Sequence, residues 1–276
     1  MMKSKREEVA RNRDEVIQIV FRNKYQQGTG EVPFTMNDIR EAIAKVAKKR
    51  VGYKEDNVAD VRYQYASGRS RLPEAIDKLG PWMIVGKGKG RYAFAKLAES
   101  PIVKIQTDLY TICLPDATPE IVLEYAGGDE QGILAKLRYN RMLDIFLGIT
   151  CYHLQNHLRT SIKNKGQREI DDLYVGLNSG GKQFVVPIEA KSANDHLSKT
   201  QILQGIEFAQ VRYPKLVLRP VGIQEMKDGS IVLIEFTSGL HPDDIKILGM
   251  RRYKLVPMSD VPLDELQSRV DSPGTP

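Results

Sequence analysis

EIDDLYVGL (Glu169–Leu177) and QFVVPIEAK (Gln183–Lys191), joined through Asn178-Ser179-Gly180-Gly181, decide the fold of this chain. Both runs are apolar and bounded by turn-forming residues, so they predict a β-hairpin. Along the second strand Phe184, Val186, Ile188 and Ala190 point one way, and Val185, Pro187, Glu189 and Lys191 the other. Glu189 and Lys191 therefore share a face at the strand's C-terminal end. An antiparallel partner brings its own first residues, Asp171 and Asp172, opposite that end. Two acids and a lysine converge on one point of a sheet.

That set has a definite chemistry. Carboxylates from neighbouring strands hold Mg²⁺ through oxygen ligands and leave positions open for water and a phosphate oxygen. An adjacent lysine orients the attacking water or stabilises charge on the phosphate. Asp171…Glu189-Ala190-Lys191 resembles the D…(D/E)-x-K signature of the restriction-endonuclease-like nuclease superfamily, across roughly residues 130–236. The resemblance implies an α/β core, a mixed sheet flanked by helices. It assigns Asp171, Glu189 and Lys191 to catalysis, with Asp171 and Glu189 on the metal. Glu169-Ile170-Asp171 matches the acidic–aliphatic–aspartate order of family members and favours Asp171, whereas strand alternation keeps Asp172 as a rival. Glu169, Gln201 and Gln204 are auxiliary candidates, since some members add an acid or a glutamine from a flanking helix.

Working outward, a long helix is expected over about 131–163, with Leu134, Leu137, Met142, Ile145, Phe146, Leu154 and Leu158 as core residues. On it His153 and His157 would stand at i,i+4 near Cys151, a spacing that suits zinc but lacks further ligands. A second helix is expected at about 198–212. Apolar runs at 102–105, 109–114, 215–223 and 230–236 read as strands, and the tail from Asp271 as frayed. Ser100-Pro101 marks the expected boundary between a front domain, 1–98, and a nuclease domain, 99–276.

The front domain reads as helices at about 12–25, from after Thr35 with Ile39, Ile43 and Val46 as its apolar stripe, at about 55–66 and at about 73–79, followed by a hairpin, Trp82–Leu97, with a Gly-Lys-Gly-Lys-Gly tip. That tip lacks Walker spacing and precedes a strand, so it is no phosphate loop. Three helices and a basic hairpin resemble a winged helix. The resemblance nominates Asn57, Arg62 and Gln64 of the third helix, with Arg69 and Arg71 just after it, for base edges, and Lys87, Lys89 and Arg91 of the wing for phosphates. Charge agrees: residues 1–98 carry a net +9 and the remainder −3, within a total of +6.

The 276 residues, 41% hydrophobic and 28% charged, favour two folded domains over disorder. No apolar run is long enough to span a bilayer, and the charged first fifteen residues are not a signal peptide. Two cysteines, Cys113 and Cys151, read as reduced thiols of a cytoplasmic protein. Together these expectations describe a Mg²⁺-dependent, sequence-specific endonuclease for double-stranded DNA, resembling type II restriction enzymes and acting as a homodimer. The alternatives are a repair or recombination nuclease that recognises DNA structure, and a non-catalytic winged-helix regulator.

Overall fold

The computed structural model describes residues 2–50, 53–55, 57–68, 70–88, 90–162 and 166–262. Arg69, Lys89 and the tail from Asp271 lie outside the described residues. The front of the chain runs α1 (Met2–Lys24), β1 (Glu31–Thr35), α2 (Met36–Lys49), α3 (Val58–Ala66), α4 (Glu74–Asp77), β2 (Trp82–Gly86) and β3 (Arg91–Lys96). Thr35 starts α2 through a capping box. Its side chain accepts from the Asp38 N–H while its own N–H donates to Asp38 Oδ2 at 2.7 Å.

The three strands form an antiparallel sheet in the order β1-β3-β2. β1 was not expected, because Pro33 interrupts it. As an edge strand it tolerates the missing donor, and Val32 and Phe34 point inward. Val16, Ile17, Val20 and Phe21 of α1 pack on that sheet with Ile39, Val46 and Val61. Phe21 meets Trp82 and Phe94 edge-on at 5.2 and 5.0 Å. Such pairs each add about 1 kcal/mol beyond the area they bury.

Residues 111–256 build an eight-stranded mixed sheet. Its elements are β4 (Thr111–Pro115), α5 (Glu120–Tyr125), α6 (Glu130–Tyr139), α7 (Met142–Leu147), β5 (Thr150–Ile162), β6 (Gly166–Leu177), β7 (Gln183–Lys191), α8 (Lys199–Arg212), β8 (Val217–Leu218), β9 (Val221–Glu225), β10 (Ile231–Phe236) and β11 (Ile247–Val256). The order is β4-β11-β10-β9-β7-β6-β5, with β8 also on β7. The β4–β11, β7–β9 and β7–β8 pairs are parallel and the others antiparallel. Helices α6 and α7 cover one face, over Tyr174, Val186, Ile188 and Ile223. Helix α8 covers the other, over Leu173, Val185 and Val232. The fold is α/β, a mixed sheet flanked by helices.

The expected helix over 131–163 is the main correction. It stops at Tyr139, restarts at Met142 after Arg141 in a left-handed conformation (φ 48°), and ends at Gly148 (φ 65°). Beyond that, Thr150–Ile162 pairs with β6 as an edge strand. The helical spacing of Leu154 and Leu158 was coincidental, and Leu154 and Ile145 are exposed rather than core. Ile102 forms an isolated bridge to Ser198, not a strand. The run at 215–223 divides at Arg219-Pro220 into β8 and β9. Among the described residues no helix is long and apolar enough to cross a membrane.

Candidate active site

The pairing of β6 with β7 places Asp172 opposite Ile188. Asp172 therefore shares the face of the α6–α7 side, and Asp171 shares the face of Glu189 and Lys191. Asp171 Oδ2 accepts the Ala190 N–H at 2.9 Å, which locks it beside the Glu-Ala-Lys run. Asp172 turns away. It is fully buried and accepts from Arg138 Nη2 at 3.0 Å, while its other oxygen meets His153 Nε2 at 2.7 Å.

Lys191 Nζ stands where four oxygens converge. Glu130 Oε1 is at 2.7 Å, Glu189 Oε1 at 2.8 Å, the Ala190 carbonyl at 2.9 Å and Asp171 Oδ2 at 4.0 Å. Glu130, the first residue of α6, was missed by sequence reasoning. It lies 61 residues before Lys191 and nothing local marks it. Helix α8 supplies Gln201, whose Nε2 donates to Glu189 Oε1 at 2.5 Å. Gly205 lets α8 approach that closely, since a Cβ there would lie 3.0 Å from Pro187 Cβ. Gln201 Oε1 is buried with no partner, an acceptor left unsatisfied within the cluster. Glu169 pairs with Arg159 at 2.9 Å, and Gln204 Nε2 donates to the Ser67 carbonyl at 3.2 Å.

Burial governs the charges. It pushes the Glu189 carboxyl up to about 8, reinforced by the charge of Asp171 and opposed by Lys191. Asp171 is raised for the same reason, against the pull of Lys191 and the Ala190 N–H. Burial also works against the Lys191 ammonium, but Glu189, Asp171 and Glu130 outweigh it and hold the lysine charged.

Among the described residues no three His, Cys, Asp or Glu side chains are grouped as metal ligands. The donor set nevertheless fits Mg²⁺, which binds through one or two carboxylates and keeps several waters. Asp171, Glu189 and the Ala190 carbonyl are all oxygen donors, gathered around one cation already. The orphaned Gln201 Oε1 adds an acceptor beside them.

Glu130, Asp171, Glu189, Lys191 and Gln201 line a cleft of about 300 Å³, together with His157 and His196. Tyr63, Ser67 and Gly68, from the end of α3, form its opposite wall. His153 and His157 are not helical neighbours. A bulge between His153 and Gln155 shifts the register of β5 by one residue, sending His153 to Asp172 and His157 to the cleft. Their expected helical spacing for zinc is thereby overturned.

The proposed DNA contacts fare unevenly as free groups. Asn57 caps α3 by accepting from the Asp60 N–H at 3.2 Å, and is exposed. Gln64 is engaged at both ends, by Arg13 at 3.0 Å and Ser70 at 2.8 Å. Arg62 lies over the Tyr92 ring, 4.6 Å from its centroid. Arg71 and Arg91 are exposed, and Lys87 pairs with Glu31 at 2.7 Å. Comparison of this chain with protein-family models, with curated proteins and with solved structures gives no match.

Proposed function

We propose that the chain is a Mg²⁺-dependent deoxyribonuclease with a restriction-endonuclease-like core and a winged-helix-like front domain. The observation that carries this reading is the convergence of the Asp171, Glu189 and Ala190 oxygens on the Lys191 ammonium, inside a cleft. Asp171, Glu189 and the Ala190 carbonyl would hold the cation, which supplies charge neutralisation at the scissile phosphate. Lys191, held charged, orients the attacking water or meets charge that develops on the phosphate. Gln201 fixes the Glu189 carboxylate through its short hydrogen bond. Arg71 and Arg91 are exposed on the basic front domain, where Arg71 suits a base edge and Arg91 the DNA backbone.

The principal reading is a type II restriction-like enzyme of the cytoplasm that cuts both strands of a short duplex sequence. A two-fold homodimer is the simplest assembly for that task. A second reading, a repair or recombination nuclease, is favoured by the wall that Tyr63, Ser67 and Gly68 place across the cleft from Lys191. A frayed or single strand enters such a space more readily than a duplex. Incubation with plasmid, branched DNA and Mg²⁺ tests both. Discrete plasmid fragments support the first reading, and cleavage confined to branched DNA supports the second. No cleavage under either condition leaves a DNA-binding regulator.

A further inference from the structure

Helix α3 has a second cleft on its other flank. It holds about 740 Å³ and lies between α3, the β2–β3 hairpin and α8. Arg62 projects along its wall with the guanidinium over Tyr92, and Arg62 Nε is buried with no hydrogen-bond partner. The carboxylates that line the same cleft are engaged elsewhere. Asp60 pairs with Arg13 at 2.8 Å and Glu207 with Arg168 at 2.7 Å. Stacking on Tyr92 holds the guanidinium plane but offers it no acceptor, and a half-buried cation without an acceptor calls for an anion. Tyr63, Leu203 and Leu240 add aromatic and apolar walls. The volume is that of a small-molecule site.

We propose that this cleft binds a nucleotide, with its phosphate on Arg62 and its base between Tyr63, Leu203 and Leu240. The choice of a nucleotide among planar anions rests on the nuclease reading. Tyr63, Ser67 and Gln204 line both clefts, so a strand whose phosphate meets Lys191 has a neighbouring nucleotide within reach of Arg62. The same unit could arrive as a free nucleotide or as a base extruded from a strand.

Calorimetric titration of the full chain in EDTA with dAMP, deoxyadenosine and inorganic phosphate tests the site. A parallel titration uses a duplex carrying one unpaired nucleotide and its perfect counterpart. Binding of dAMP, or the preference for the unpaired duplex, is expected to fall about tenfold or more in Arg62→Met. Leu240→Trp, at an exposed position where folding is little disturbed, is expected to fill the cleft with the same result. Loss in the dAMP arm identifies a free nucleotide, and loss in the duplex arm alone identifies an extruded one. If neither arm responds to either variant, or if phosphate binds as tightly as dAMP, the proposal is overturned. Plasmid cleavage is read separately. Its absence sinks the nuclease and leaves the titrations to decide the cleft.

Discussion

Asp171 and Asp172, neighbours in the chain, leave β6 on opposite faces and meet opposite environments. Asp171 accepts the Ala190 N–H beside Lys191, and Asp172 is buried between Arg138 and His153. A strand's two-residue period makes this separation unavoidable. One position stands beside Glu189 and Lys191, and the other anchors β6 to α6 and β5.

The two aspartates therefore predict different losses. Asp171→Asn should abolish cleavage with little loss of stability, since burial already disfavours its charge. Asp172→Asn should still cleave but unfold more easily, by about 1–3 kcal/mol, because Arg138 and His153 lose a charged acceptor. Arg138 is partly exposed, so water limits that cost. Urea unfolding and plasmid cleavage of both variants check this. An inactive Asp172→Asn beside an active Asp171→Asn would move the ligand to Asp172.

Lys191 competes with any cation for the same oxygens. Lys191→Met should abolish cleavage while tightening Mg²⁺ binding, measured by calorimetry, because the Glu189 and Ala190 oxygens are released from the ammonium. Duplex binding should persist. Weaker Mg²⁺ binding in Lys191→Met would show that the lysine organises those oxygens rather than occupying their focus.

Much of this site was legible in residues 183–191. Alternation placed Glu189 and Lys191 on one face, and in β7 their side chains meet at 2.8 Å. The choice between Asp171 and Asp172 needed the register of two strands, a tertiary fact that one strand's pattern does not contain. Residues 150–162 misled because Leu154 and Leu158 carry a helical spacing, while pairing with β6 overrode it. Glu130 and the α3 wall were illegible for a related reason. Each reaches the cleft from a distant segment through packing alone.

Glu189 predicts a pH dependence of stability in the absence of metal. Its carboxyl ordinarily titrates near 4.5 and is pushed up to about 8 by burial and Asp171. Between those values the folded state holds a proton that the unfolded state has lost, so stability falls as pH rises through that window. Glu189→Gln should flatten this fall. Denaturant titrations at pH 5, 7 and 9 in EDTA compare the two proteins, and identical slopes would exclude Glu189 as the source.

Ser67 reports whether the cleft opens. Its carbonyl receives Gln204 Nε2, and Gly68, at φ 79°, sits where a Cβ would lie 3.1 Å from Gln201 Cγ. The residues that follow α3 thus rest on α8 and wall the cleft that holds Lys191. This contact walls the cleft, so a duplex that reaches Lys191 is expected to part it. Ser67→Cys, made in a Cys113→Ser chain, should react slowly with a maleimide because position 67 is buried. The remaining Cys151 is a quiet background, since burial and Asp144 push its thiol up to about 12. Adding cleavable duplex with Ca²⁺ in place of Mg²⁺ should speed labelling at position 67 by about tenfold or more, as expected when a buried group becomes open to solvent. Unchanged labelling alongside demonstrated duplex binding would mean that DNA reaches the chain without parting α3 from α8, and the single-strand reading of the cleft would then be preferred.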